Sequence, residues 1–197
     1  MEQYLNQWKK YSQPFPYQIY CDMDGVLVDL ISGVLKAAKL NTDDERKRKA
    51  VRTIISSGWR WTEKHPDSAI QKGLDYIHTL IGDDVDFWAN LPAMPDKDTL
   101  WDYISQYDPN ICSHPWDEDS ADGKEIWLAS QLNPAPQMVF LTGDKHKFAV
   151  DKQGRPNLLI DDFEKYTVPW ENAGGIAILH TSAQSTIEQL EAIKNRG

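Results

Sequence analysis

The apolar positions along the chain follow two patterns. The first is a set of short, β-prone runs that each end abruptly in polar residues. They are Gln18-Ile19-Tyr20-Cys21 before Asp22 and Asp24, Asn110-Ile111-Cys112 before Ser113, Met138-Val139-Phe140-Leu141 before Thr142, Leu158-Leu159-Ile160 before Asp161 and Asp162, and Ile176-Ala177-Ile178-Leu179 before His180. Runs apolar at consecutive positions predict strands buried on both faces. The second pattern has helical period. Acidic residues from Asp43 lead into Val51, Ile54 and Ile55 and stop at Gly58; after Pro66, Ile70, Leu74, Ile77 and Ile81 run to Gly82. A helix beginning near Asp96 presents Leu100, Tyr103, Ile104 and Tyr107, and a last one, capped near Thr181 or Ser182, carries Ile187, Leu190 and Ile193.

Strands alternating with helix-like segments predict an α/β fold with a five-stranded parallel, Rossmann-like sheet and functional groups at the carboxyl ends of its strands. The helical stretch between the first two strands reads as a cap inserted after the first strand. It divides the chain into a core of residues 1–28 and 96–197 and a cap of 29–95, with hinges near Asp29 and near Pro92 to Pro95. The chain has 197 residues, enough for a sizeable core. Its net charge of −9 disfavours a polymeric nucleic acid as partner. No apolar stretch is long enough to span a membrane, and the polar start lacks the core of a signal peptide, so a cytoplasmic protein is expected. Cys21 and Cys112 are too few for a disulfide framework and read as buried thiols.

Candidate chemistry sits in Asp22-Met23-Asp24-Gly25, directly after a strand. Alternation in an extended segment sends Asp22 and Asp24 to one side, where their repulsion is tolerated if a divalent cation lies between them or if one carboxyl keeps a proton. Gly25 lets the chain turn tightly beside a ligand. The bland alternative is an acidic turn. Asp161 and Asp162 close another apolar run, so two strand ends can gather several carboxylates into a site for a hard cation, most simply Mg²⁺.

These landmarks carry a resemblance. DMDGVLVD, Ser113 after a second strand, lysines beyond it and IDD at a later strand end resemble the four motifs of the haloacid dehalogenase-like phosphatases. The stretches ICSHP, GKEIW, VFLTGDK, LLIDD and PWENAGGIAILH look like the 5′(3′)-deoxyribonucleotidase family, from Ile19 to about His180; in the cap the match rests on FWANLP. The resemblance implies a Mg²⁺-dependent phosphatase acting on nucleoside monophosphates as small-molecule substrate. Asp22 matches its nucleophile and Asp24 its acid and base. Asp161 matches the metal carboxylate, with Asp22 and the backbone carbonyl of Asp24 as further ligands and Asp162 orienting the metal's waters. Ser113 matches a phosphate-binding hydroxyl. His114 replaces a second small hydroxyl residue; its backbone N–H could still bind phosphate.

Two lysines compete to neutralise the phosphate. Lys124, opening a helix-like segment with Ile126, Leu128 and Leu132, is favoured for direct contact, and Lys145 is expected to pair with the acidic cluster. In the cap, Trp59, Trp61, Phe87 and Trp88 offer rings that could stack on a base or simply pack the cap. The rival functions are a phosphatase of a small sugar or metabolite phosphate and, in another class, a phosphoacceptor signalling domain, which would need neither Asp24 nor a cap.

Overall fold

The structure is a computed structural model that describes residues 14–58 and 68–195. Among them, five parallel strands form one sheet: β1 (Ile19–Cys21), β2 (Asn110–Ser113), β3 (Val139–Leu141), β4 (Leu158–Asp161) and β5 (Ile176–Leu179), in the order β3-β2-β1-β4-β5. Cys21 lies opposite Ile111 on one side and Ile160 on the other. Alternation divides the strand side chains between two cores. Ile19, Cys21, Ile111, Leu158 and Ile160 join the large core on one face, and Tyr20, Cys112 and Leu159 pack with Trp170 on the other. Cys21 and Cys112, though on neighbouring strands, therefore belong to opposite faces as free buried thiols. The expectation of five buried strands fails at both edges, where Met138 and Val139 of the β3 run and Leu179 of β5 are exposed and each edge strand has a single neighbouring strand among the described residues.

Eight helices flank the sheet among the described residues. Five lie between β1 and β2: the four inserted helices α1 (Leu30–Ala37), α2 (Glu45–Gly58), α3 (Ala69–Ile81) and α4 (Val85–Ala89), and then α5 (Lys97–Ile104). The others are α6 (Glu118–Gln131), α7 (Glu164–Asn172) and α8 (Ala183–Lys194). The sequence reading missed α1, α4 and α7. The first lies in the near-continuous apolar run from Val26 to Leu35, which has no clear period, and Pro169 inside α7 reads as a breaker. It also placed Lys124 at a helix start. The helix begins a turn and a half earlier, where Asp117 and Ser120 form a reciprocal capping box, so Lys124 sits mid-helix and is fixed on both sides.

The connections into and out of the four inserted helices run side by side. Met94 N–H donates to the Leu27 carbonyl at 2.9 Å, Asp29 N–H to the Pro92 carbonyl at 2.8 Å, and Val28 pairs antiparallel with Ala93. At the far end of the insertion, Gly123 of α6 lets α4 approach: a Cβ there would lie 2.4 Å from that of Trp88. Trp127 of α6 donates its indole N–H to the Leu91 carbonyl at 2.9 Å.

Candidate active site

Successive strands leave β1 in one direction toward β2 and β3, then resume on its other side with β4 and β5. The reversal opens a crevice at the carboxyl ends of β1 and β4, where ligands bind in open α/β sheets. Asp22 follows β1 and Asp161 ends β4. Asp22 N–H extends the ladder to the Ile160 carbonyl at 2.9 Å, locking the two strand ends in register.

Carboxylate oxygens of Asp22, Asp161 and Asp162 lie within 4.8 Å of one another. Lys145, in a single 3₁₀ turn after β3, puts its buried ammonium 2.8 Å from Asp22 Oδ1 and 2.6 Å from Asp161 Oδ2. Phe163 N–H donates to Asp161 Oδ1 at 3.0 Å. Desolvation and the neighbouring carboxylates outweigh the Lys145 cation and raise the Asp161 pKa; desolvation and the charges of Asp22 and Asp24 push Asp162 up to about 7. An all-oxygen cluster with more negative charge than its lysine offsets fits a hard divalent cation. Asp22, Asp161 and Asp162 are the carboxylates that would hold it; the Asp24 carboxylate points elsewhere.

Asp24 Oδ2 accepts from Lys124 Nζ at 2.6 Å, and the same ammonium donates to Ser113 Oγ at 3.1 Å. Asp24 Oδ1 is buried with no hydrogen-bond partner among the described residues. Desolvation raises the Asp24 pKa in spite of the Lys124 cation. One carboxyl oxygen is thus anchored and the other left for a ligand.

The loop carrying these residues is tightly wound. Val26, Leu27 and Val28 all turn their N–H groups toward the Met23 carbonyl, and Gly25 N–H donates to the Val28 carbonyl at 2.8 Å. Gly25 has φ +79°, and a Cβ on it would stand 2.1 Å from Asp162 Oδ2. Gly25→Ala is expected to add backbone strain of ~1–2 kcal/mol and to displace Asp162, weakening Mg²⁺ binding by ~10-fold or more. Gly154→Ala is the control, since Gly154 shares the conformation (φ +78°) with open space around it. Calorimetric titration with Mg²⁺ checks this: equal affinities in the two variants would contradict it.

A cavity of about 310 Å³ opens between this edge and the inserted helices. Asp22, Asp24, Lys145 and Asp162 form its floor, and Trp88, His114, Trp116, Phe163 and Tyr166 stand around it. Leu30, Ile31 and one face of α2, with Arg48, Arg52, Ile55 and Ser56, close it from the insertion. His114 Nδ1 lies 2.7 Å from the Tyr166 hydroxyl. Burial and the cations of Lys165, Lys145 and Lys124 lower the His114 pKa to about 4, so its ring is neutral at ordinary pH.

Of the aromatic residues picked out in the insertion, Trp88 lines the cavity, buried to 1% exposure, with its indole N–H unpartnered among the described residues. Phe87 does not line it. Successive residues on a helix point about 100° apart, and Phe87 packs instead toward Gly33 of α1. Trp59 and Trp61 lie outside the described residues. Sequence reasoning missed Trp116, Tyr166 and Arg52. Trp116 was findable, three residues past Ser113 at the same strand end; Tyr166 and Arg52 sit on helices whose facing is set by tertiary packing.

No family model matches the sequence, and no curated protein matches it. Solved structures do. The fold is that of the haloacid dehalogenase-like hydrolases. A putative hydrolase of that kind from Bacillus subtilis, bound to magnesium, superposes with a TM-score of 0.57 at 13% identity, covering 91% of this chain and 100% of that one. A hydrolase from Streptococcus pneumoniae gives 0.51 at 15% identity, covering 89% and 98%. The L-2-haloacid dehalogenase from Xanthobacter autotrophicus gives 0.50 at 14% identity, covering 89% and 82%. Among the described residues, no helix is long and apolar enough to cross a membrane.

Proposed function

We propose that the chain is a Mg²⁺-dependent phosphomonoesterase that hydrolyses (deoxy)nucleoside monophosphates by way of an aspartyl phosphate, an acyl phosphate formed on Asp22. The fold alone also accommodates dehalogenation, and Asp24 is the observation that separates the two. A departing halide needs no proton, and its displacement needs no cation. A departing nucleoside oxygen needs a proton, and a phosphate dianion must be neutralised before a carboxylate can approach it. Here a second carboxyl with raised proton affinity stands two residues beyond Asp22, one oxygen held by Lys124 and the other free.

In the first step an Asp22 carboxylate oxygen attacks phosphorus, the bond to the nucleoside oxygen breaks, and Asp24 gives that oxygen its proton. In the second, Asp24 takes a proton from water, the water oxygen attacks phosphorus, and the bond to Asp22 breaks, releasing inorganic phosphate. Lys145 fixes the attacking carboxylate through its ion pair, while Lys124 and Ser113 present donors where phosphate oxygens would lie. Mg²⁺, when bound by Asp22, Asp161, Asp162 and the Asp24 carbonyl, would draw charge off the phosphoryl group. A phosphoacceptor module would have no use for the acid at Asp24.

The aromatic rings around the cavity support a nucleotide as substrate, because the sheet edge meets only phosphate and the leaving group must be recognised above it. The test is a panel of nucleoside monophosphates, sugar phosphates and a 2-haloacid, followed by release of phosphate or halide with Mg²⁺. Phosphate release fastest from nucleotides is expected. Preference for a sugar phosphate would replace the substrate class, and halide release without phosphate release would overturn the reading.

A further inference from the structure

The cavity holds more positive groups than the chemistry just described uses. All but one of the cationic or imidazole side chains lining it are held by a partner among the described residues. Lys145 is committed to Asp22 and Asp161. Arg48 is spent on its own surroundings, with both terminal guanidinium nitrogens engaged: it donates to Ser32 Oγ at 2.6 Å, to the Thr42 carbonyl at 3.2 Å and to both oxygens of Asp29 at 3.1 and 3.2 Å. His114 is hydrogen-bonded to Tyr166. Arg52, one turn beyond Arg48 on the same face of α2, forms no hydrogen bond or ion pair among the described residues, yet it lines the cavity together with Asp22, Asp24 and Asp162. An arginine over an acidic floor would ordinarily find a carboxylate. Asp161 and Asp22 already have Lys145, Asp24 has Lys124, and Asp162 interacts with the Arg52 charge without forming an ion pair with it.

Charge decides what Arg52 is for, and this step rests on the phosphatase reading. With Asp24 and Lys124 set aside as an ion pair, the carboxylates of Asp22, Asp161 and Asp162 plus a phosphate dianion exceed Lys145 and one divalent cation in charge. Arg48 and Asp29 cancel each other. We propose that Arg52, reaching from the insertion, binds the phosphoryl group that is transferred, adding positive charge on the side facing the acidic floor. A guanidinium suits this better than an ammonium, because its fork of donors matches two phosphate oxygens at once. Substrate recognition and charge neutralisation then meet in one helix: α2 brings Ile55 to the leaving group and Arg52 to the phosphate.

Arg52 is exposed on its helix, so replacing it leaves the fold intact, which melting temperatures verify. Inorganic phosphate is titrated with Mg²⁺ into the whole protein and into Arg52→Ala and Arg52→Lys. Turnover is measured on a nucleoside monophosphate and on 4-nitrophenyl phosphate. Phosphate binding is expected to weaken roughly tenfold or more in Arg52→Ala and less in Arg52→Lys. The two esters should lose kcat/KM by the same factor, with part recovered on adding guanidinium ion. Unchanged phosphate affinity, or a loss confined to the nucleotide, would overturn the assignment and move Arg52 to the leaving-group end. If the unaltered protein hydrolyses no ester but still binds phosphate through Arg52, the phosphatase reading fails, and what stands of this one is phosphate binding by Arg52 without transfer. If it binds no phosphate, both fall.

Discussion

Asp22→Asn is expected to abolish steady-state phosphate release, by ~10²-fold or more, while leaving the melting temperature near that of the unaltered protein. The amide keeps the shape of the side chain and loses the attacking charge, and the fold does not depend on that charge: Lys145 still pairs with Asp161 at 2.6 Å. Asp24→Asn is the companion. It should show a similar loss on esters with poor leaving groups and a smaller loss on 4-nitrophenyl phosphate, whose leaving oxygen needs little help from a proton. The split is what an acid at position 24 implies. An Asp22→Asn protein that keeps more than a tenth of the rate would rule out covalent catalysis at that residue, and equal losses on both esters in Asp24→Asn would remove the acid role.

The second large effect concerns Lys145. Its ammonium sits between two buried carboxylates, Asp161 with no side-chain exposure and Asp22 with 7%. Breaking a buried pair by removing one partner costs ~3–5 kcal/mol, which for a chain of this size lowers the melting temperature by about 10 °C. Lys145→Met should therefore be destabilised by about that much at pH 8 in chelator. The deficit should shrink on acidification, because desolvation raises the Asp161 pKa in the folded state: this carboxyl takes up a proton at low pH and loses that relief as pH rises. Mg²⁺ should restore part of the stability. Lys124→Met should cost less, since its partner Asp24 keeps 25% of its side-chain surface exposed. A Lys145→Met protein as stable as its parent at pH 8 without metal would show that the ion pair has no structural role.

The strands and the acidic positions at their ends were legible because they are local facts. An apolar run that stops at Asp22 or Asp161 declares both a strand and its functional end. The long helices α2, α3 and α8 were legible from period and caps. What escaped was whatever depends on a distant partner. Lys124 and Lys145 look alike in sequence, and only the packing of α6 and of the turn after β3 assigns one to Asp24 and Ser113 and the other to Asp22 and Asp161. Phe87 and Trp88 are neighbours in sequence, yet only one faces the cavity. Tyr166 was hidden in a helix whose Pro169 reads as a loop.

The paired segments at the base of the insertion bear on how such a chain can change. Leu27 and Met94 meet through a backbone hydrogen bond, so everything between them is, to the sheet, a loop already closed at its neck. Lengthening or shortening a closed loop costs the remainder only a slowly growing, logarithmic entropy. The helices beyond the neck can be exchanged or rebuilt while Asp22, Lys145 and Asp161 keep their places. What the molecule accepts is then written mostly beyond the neck and what it does to it mostly in the sheet, with Arg52 reaching across from one to the other.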